Sequence, residues 1–150
     1  MPVDVHVSDD IWRMPLTVRY YETDQQNVVF HAWYLNYFDE AFTAYAEAQG
    51  FSLTRAHAEG FDWMVVHSEI DWHGSLRWPD AAEIAVSPVH VGNSSVTVDF
   101  AALRDGEAVC SARNVYVTVD AKEFSRVEVP FEFREMLGYG QSLRRPRAGR

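Results

Sequence analysis

An aspartate in a turn, followed seven residues later by a histidine, stands in the stretch "YYETDQQNVVFHAWYLNYFDEAF" from Tyr20 to Phe42. The pair suits acyl chemistry if the elements around it bring a helix start alongside. The first turn of a helix carries N–H groups without intrahelical acceptors and a partial positive charge, so it stabilises anions and polarises a carbonyl oxygen placed there. Acyl transfer needs such donors aimed at the developing oxyanion, with a nucleophile or base beside them. Asp24 could attack a carbonyl carbon or activate a water. His31 could offer its backbone N–H, its imidazole, or both. Between them, Asn27 belongs to the few non-glycine residues that tolerate the left-handed backbone of a sharp turn. Val28, Val29 and Phe30 would wall the pocket with apolar surface. The same residues also suit a plain helix entry: an Asp in a turn, a His near the cap and a hydrophobic staple.

The elements that would hold this pair are legible in the pattern. "LTVRYYE", Leu16 to Glu22, is rich in β-branched and aromatic residues and predicts a first strand. From Ala32 to Gln49, the apolar residues Leu35, Phe38, Phe42 and Tyr45 recur at helical spacing with Asn36, Glu40, Thr43 and Glu47 opposite, and Gly50 supplies a stop. This is the one long amphipathic helix. Four strand-like segments follow, "DWMVVHSEIDWH", "AAEIAVSPVHVG", "SSVTVDFAALRD" and "EAVCSARNVYVTVD", with "GNSS" and "RDGE" as turns. "PFEFREML" predicts a short helical turn near the end. One helix and about five strands must bury a common face, which predicts an α+β domain with a curved antiparallel sheet wrapped around the helix. Sheet edges need covering, so a homodimer is the expected minimum.

Composition narrows the class. The chain has 150 residues, enough for one core, and is read as one domain, 1–150, with its core at 14–137 and a solvated tail at 138–150. Hydrophobic residues make up 47% and charged residues 23%, as in globular domains. No apolar run has the length of a spanning helix, and "MPVDVHVSDDIWRMP" carries acids where a signal peptide has a basic segment, so a cytoplasmic protein without membrane partners is expected. A formal net charge of −9 argues against broad nucleic-acid binding. The one cysteine, Cys110, permits no intrachain disulfide and no cysteine-based metal site. The basic run "RRPRAGR", Arg144 to Arg150, reads as part of the solvated tail.

The stretch "VRYYETDQQNVVFHAWYLNYFDEA", Val18 to Ala41, resembles the signature of hotdog-fold acyl-CoA thioesterases, specifically the 4-hydroxybenzoyl-CoA thioesterase-like branch. The likeness continues more loosely through "VVHSEIDW", "LRWPDAAEIAVSPVHVGNSSVTVDFAAL" and "VYVTVDAKEFSRVEVPFEFREML". It implies a hotdog fold, hydrolysis of an acyl-CoA thioester, Asp24 as the catalytic carboxylate, and the His31 backbone N–H as the group that polarises the thioester carbonyl. Where family members have His at this position, the resemblance implies a catalytic imidazole too. Asn27 stands in place of the family's Gly, Trp33 in place of an Asn before Tyr34, and Ser75 in place of a Pro. Trp33 therefore bears most on the acyl pocket.

The resemblance further implies that Glu69 lies at a position often acidic, where it could orient the site or a water, and that Ser94 and Ser95 lie where relatives approach coenzyme A. Asn27, Val28, Val29, Trp33 and Tyr34 are the other expected substrate contacts. No metal is implied: His67, Glu69, Asp71 and His73 alternate along a strand but seldom converge on one ion in such an arrangement. No cofactor is implied either, coenzyme A being part of the substrate. Arg77, Arg104, Arg113, Arg126 and the C-terminal arginines are the available partners for its phosphates. Homodimers and homotetramers, with sites formed between subunits, are the implied assemblies. Two alternatives remain: a non-catalytic binder of acyl-CoA or acyl-carrier protein, and a 3-hydroxyacyl thioester dehydratase.

Overall fold

The chain's computed structural model describes residues 5–138 and 140–144. Five strands, β1 (Trp12–Thr17), β2 (Phe61–Trp72), β3 (Ala81–Val91), β4 (Ser95–Arg104) and β5 (Glu107–Asp120), form one antiparallel sheet in the order β1-β3-β4-β5-β2. The long helix α1 (Trp33–Ala48) lies against one face, and the short helices α2 (Leu53–Ala58) and α3 (Phe131–Leu137) close its ends. This is the α+β, helix-wrapped sheet that the pattern predicts.

Helix α1 forms because large apolar residues recur every three or four positions, and its buried stripe is Tyr34, Tyr37, Phe38, Ala41, Phe42, Tyr45 and Ala46. Phe38 stacks on Phe100 of β4 at 5.2 Å between ring centroids, and Phe42 lies 4.5 Å from Tyr116 of β5. Full burial of each such ring contributes roughly 1.5–3 kcal/mol. Leu35 was expected on this stripe but is exposed, because the stripe begins one position earlier, at Tyr34, and continues through Tyr37. Gly50, at φ 98°, supplies the left-handed residue that ends the element.

The first strand is shifted from its expected place at Leu16 to Glu22. β1 spans Trp12–Thr17 and includes Pro15, which an edge strand tolerates. After it, the Val18 N–H donates to the Asp80 carbonyl, and the Arg19 N–H donates to the buried Glu22 carboxylate at 2.7 Å. Those bonds turn Tyr20–Glu22 into a single 3-10 turn and end the strand early. α2 was absent from the sequence reading; six residues carry too short a periodicity to read, and Ser52 caps it through the Arg55 N–H.

The two faces of the sheet are distinct. Toward the helix, Val96, Val98, Phe100, Ala102, Cys110, Ala112 and Tyr116 join the main core. On the outer face, Ala85, Ala101 and Leu103 pack with Val7 and Leu143. The segment 140–144 is therefore docked where a solvated tail was expected, and residues 139 and 145–150 of that tail lie outside the described residues. Its anchor is Asp99, fully buried on β4. The carboxylate accepts from the Arg113 guanidinium at 2.7 and 3.0 Å, from the Ser142 hydroxyl at 3.1 Å and from the Leu143 N–H at 3.0 Å. Ser87 donates to the Gln141 carbonyl at 2.6 Å, and Arg144 pairs with Asp71.

Candidate active site

The Asp24 loop is a hairpin closed by three backbone bonds. Asp24 N–H donates to the Val28 carbonyl at 2.9 Å, Asn27 N–H donates to the Asp24 carbonyl at 3.0 Å, and Phe30 N–H donates to the Glu22 carbonyl at 2.9 Å. Thr23 and Val29 face each other across it. Asn27 takes φ 59°, the left-handed conformation expected of it. The side chain of Asp24 completes the loop: Oδ1 accepts from the Gln26 N–H at 2.9 Å and from the Val28 N–H at 3.4 Å. With its amide nitrogen turned to the carboxylate, Gln26 also donates to Oδ1 at 3.0 Å and Oδ2 at 3.1 Å. The carboxylate is thus fixed by its own loop while half-buried.

The far arm of the hairpin runs directly into α1. Ala32 is the N-cap and offers no capping side chain, in contrast to Ser52 at α2. Among the described residues, nothing accepts a hydrogen bond from the His31 N–H. A helix start left open in this way, one arm away from a fixed carboxylate, presents a donor and an anion on a single rigid loop. The His31 ring is exposed between two aromatic side chains, with Phe30 at 4.3 Å and Trp72 at 6.3 Å between centroids, the latter edge-on at 90°.

Of the expected substrate contacts, Asn27 and Val28 sit on this loop, and Trp33 is half-buried at the helix start with Tyr21 edge-on at 5.8 Å. Two others do structural work instead. Val29 is buried and its N–H donates to the Leu76 carbonyl at 2.8 Å, while the Tyr34 hydroxyl accepts from the Leu76 N–H at 3.0 Å. Both fasten the 73–80 loop under the site. The pocket wall expected from Val28, Val29 and Phe30 is thereby reduced, since alternation along an extended arm sends Val29 inward and Phe30 outward.

Glu69 lies elsewhere. Its register partner is Arg113, on the outer face, and its own carboxylate meets His67 at 3.5 Å and Arg144 at 3.9 Å. Strand alternation separates it from Ile70 and Trp72, which face the helix, so one chain does not assemble Glu69 with Asp24 and His31. Of the alternating His67, Glu69, Asp71 and His73, Glu69 and Asp71 meet Arg144 of the docked segment, His67 pairs with Glu69, and His73 lies within 3.1 Å of Ser111. Ser94 and Ser95 are also remote within one chain. They lie at the start of β4 beside Thr118, whereas the Asp24 loop is bonded through Val29 to Leu76, just before β3 and so at the opposite end of the strands. Arg113 is committed to Asp99, and Arg104 pairs with the Ser75 carbonyl and Asp80. Sequence reasoning missed Gln26 and Trp72. Ser68, Ile70 and Trp72 alternate along the helix-facing side of β2, two residues apart, and that alternation is the signal for Trp72.

A family model described as "Thioesterase superfamily" matches residues 26–111, more than half of the chain. The chain belongs to the thioesterase superfamily. The matched segment takes in His31, α1 and most of the sheet, and begins two residues after Asp24. A 1,4-dihydroxy-2-naphthoyl-CoA hydrolase of Synechococcus elongatus is 24% identical over 122 residues, covering 80% of this chain and 90% of that protein. A solved structure of a Pseudomonas aeruginosa strain PAO1 protein superposes with TM-score 0.80 at 26% identity, covering 88% of this chain and 94% of that one. A 1,4-dihydroxy-2-naphthoyl-CoA thioesterase from Synechocystis shares the fold with TM-score 0.75 at 16% identity over 83% of this chain and 93% of that one. Among the described residues, no helix is long and apolar enough to cross a membrane.

Proposed function

We propose that this thioesterase hydrolyses an acyl-CoA, with Asp24 as nucleophile or general base and the His31 backbone N–H at the α1 start holding the thioester carbonyl oxygen. As the C–S bond breaks, coenzyme A leaves as the thiol and the acyl group leaves as a carboxylic acid. If Asp24 is the base, it takes a proton from the attacking water. If it is the nucleophile, a mixed anhydride forms and water then cleaves it. Water is the only other reactant; coenzyme A is part of the substrate, and no metal or redox cofactor enters.

The observation that carries this reading is the unaccepted His31 N–H at an uncapped helix start, on the same loop as a carboxylate fixed by Gln26 and Val28. A coenzyme A ester is supported by the named relative above, which acts on one.

The active unit in this reading is a homodimer paired through β2. That strand is a sheet edge and exposes Met64, Val65 and Val66 in succession, an apolar edge that a lone domain in water does not leave open. Two-fold antiparallel pairing there would carry the Ser94–Ser95 end of one subunit toward the Asp24 end of its partner, which gives the remote serines a route to the substrate.

The test is steady-state release of free coenzyme A from aliphatic acyl-CoAs of increasing length and from benzoyl and phenylacetyl esters, with Asp24→Asn in parallel. Turnover of at least one class, lost in the variant, is expected. Binding of an ester without turnover in the wild type would make the protein a binding module instead.

A further inference from the structure

Glu22 lies two residues before Asp24 and is 2% exposed, and the reaction drawn above makes no use of it. Among residues 19–24 it alone is buried, and a carboxylate is seldom buried to that extent unless its surroundings hold it. Oε1 accepts from the Arg19 N–H at 2.7 Å, which fixes the side chain to the stretch that leaves β1. The backbone carbonyl accepts from the Phe30 N–H at 2.9 Å, on the arm that reaches His31 one residue later. On the second turn of α1 stands Tyr37, its ring buried and edge-on to Tyr34 at 5.9 Å, and Tyr34 is itself bonded to Leu76. The Tyr37 hydroxyl is buried beside Glu22 yet short of a full hydrogen bond. Burial first, and then the neighbouring Glu22, push this phenol well above its ordinary value, so the O–H keeps its proton and is available to the carboxylate as a donor.

We propose that Glu22 is a positioning residue for thioester hydrolysis: anchored by the Arg19 N–H and taking the Tyr37 hydroxyl as its second donor, it seats the hairpin against α1 and sets the distance from the Asp24 carboxylate to a carbonyl carbon held at the His31 N–H. This rests on the reading of Asp24 and His31 given above. The hairpin's own bonds fix its shape without fixing its seat on the helix. Asp24 to Val28 and Asn27 to Asp24 lie within the loop, Phe30 to Glu22 joins its two arms, and Val29 to Leu76 fastens only the far arm. The near arm, which carries Asp24, meets α1 through Glu22 and Tyr37. An unpaired O–H and a carboxylate buried side by side favour the arrangement that joins them, because water cannot replace the missing bond. Glu22 touches no reacting atom in this role and exchanges no proton with the substrate.

The experiment measures kcat and KM for release of free coenzyme A from the fastest of the aliphatic, benzoyl and phenylacetyl esters above, in the wild type, Glu22→Gln, Tyr37→Phe, Asp24→Asn and the two double variants that contain Asp24→Asn, with thermal unfolding of each. Glutamine keeps an oxygen for the Arg19 N–H, so the anchor stays while the carboxylate is lost. Glu22→Gln should lower kcat by about tenfold or more with KM within about twofold, the signature of reacting groups held slightly out of place. Tyr37→Phe, which removes only the hydroxyl, should lower kcat by about threefold or more. In the Asp24→Asn background either substitution should cost less than about twofold, because nothing is left to position. A purely structural role would cost the same factor in both backgrounds. Equal losses in the two backgrounds, or a Glu22→Gln kcat within about threefold of the wild type at matched stability, overturn the role of Glu22 and leave Asp24 standing. Full activity of Asp24→Asn overturns the site, and this inference with it. Tyr37→Phe keeps the test decisive if the glutamine variant fails to fold.

Discussion

Replacing Asp24 by asparagine separates chemistry from architecture at this site. The loop uses Oδ1 as an acceptor for the Gln26 and Val28 N–H groups, and asparagine keeps an acceptor oxygen in that place. Its two backbone bonds, Asp24 to Val28 and Asn27 to Asp24, do not involve the side chain at all. What disappears is the charge, and with it the capacity to attack a carbonyl or take a proton. Weakening those partly exposed hydrogen bonds should lower stability by less than about 1 kcal/mol. Removing a principal acid–base group costs about 10²- to 10⁴-fold in rate, or roughly 2.7–5.5 kcal/mol of barrier. The two effects differ enough to be told apart. Asp24→Ala is the weaker experiment, because it also deletes the acceptor that folds the loop. The assay is thiol release from a substrate the wild type hydrolyses, with thermal unfolding of both proteins. A variant whose kcat lies within about threefold of the wild type, at matched stability, would refute the assignment of Asp24.

Other consequences can be measured directly. His31→Ala retains the backbone N–H, so if that donor rather than the imidazole holds the oxyanion, kcat should fall by less than about tenfold, and a loss of about 10³-fold would assign the chemistry to the ring. Burial raises the Asp39 carboxyl above its ordinary value, opposed by the hydrogen bond it accepts from Tyr116. The folded state therefore holds this proton more tightly than the unfolded chain does, and Asp39 weighs against folding as pH rises through its folded-state value. Asp39→Asn, which can still accept from Tyr116, should accordingly gain stability relative to wild type more at pH 7 than at pH 4 in denaturant titrations; an equal difference at both would sink the reasoning. Asp99→Ala strands Arg113, Ser142 and the Leu143 N–H, and should lower stability by about 2–4 kcal/mol while leaving kcat near wild type. Gly140→Ala tests the same segment, since a Cβ there would lie 2.9 Å from the Pro88 carbonyl and force residues 140–144 off the sheet, read as faster proteolysis at the C-terminal end.

Much of the molecule is a local matter and was therefore visible in the chain. The α1 stripe follows from apolar residues at helical spacing, β2 to β5 from alternation and turn residues, and the left-handed turn at Asn27 from its tolerance of that conformation. The Asp24–His31 spacing belongs to the same class, because one hairpin arm and one helix start are enough to set it. The first strand was misplaced because Pro15 argues against a strand unless the strand is known to be an edge, and edges are defined only by partners.

What the sequence by itself determined is the wrapped-helix architecture, the spacing of Asp24 from His31 and the thioesterase resemblance, all of them encoded in periodicity or in contiguous residues. Only the tertiary structure decided which face each strand residue serves. Alternation says that Glu69 and Ile70 point in opposite directions, but which of the two meets the helix depends on the register of β2 against β5. That register sends Glu69 to the docked C-terminal segment and Trp72 to His31. It also places Ser94 and Ser95 at the far end of the sheet from Asp24, since distance across a folded sheet is set by strand pairing and leaves no trace in local pattern.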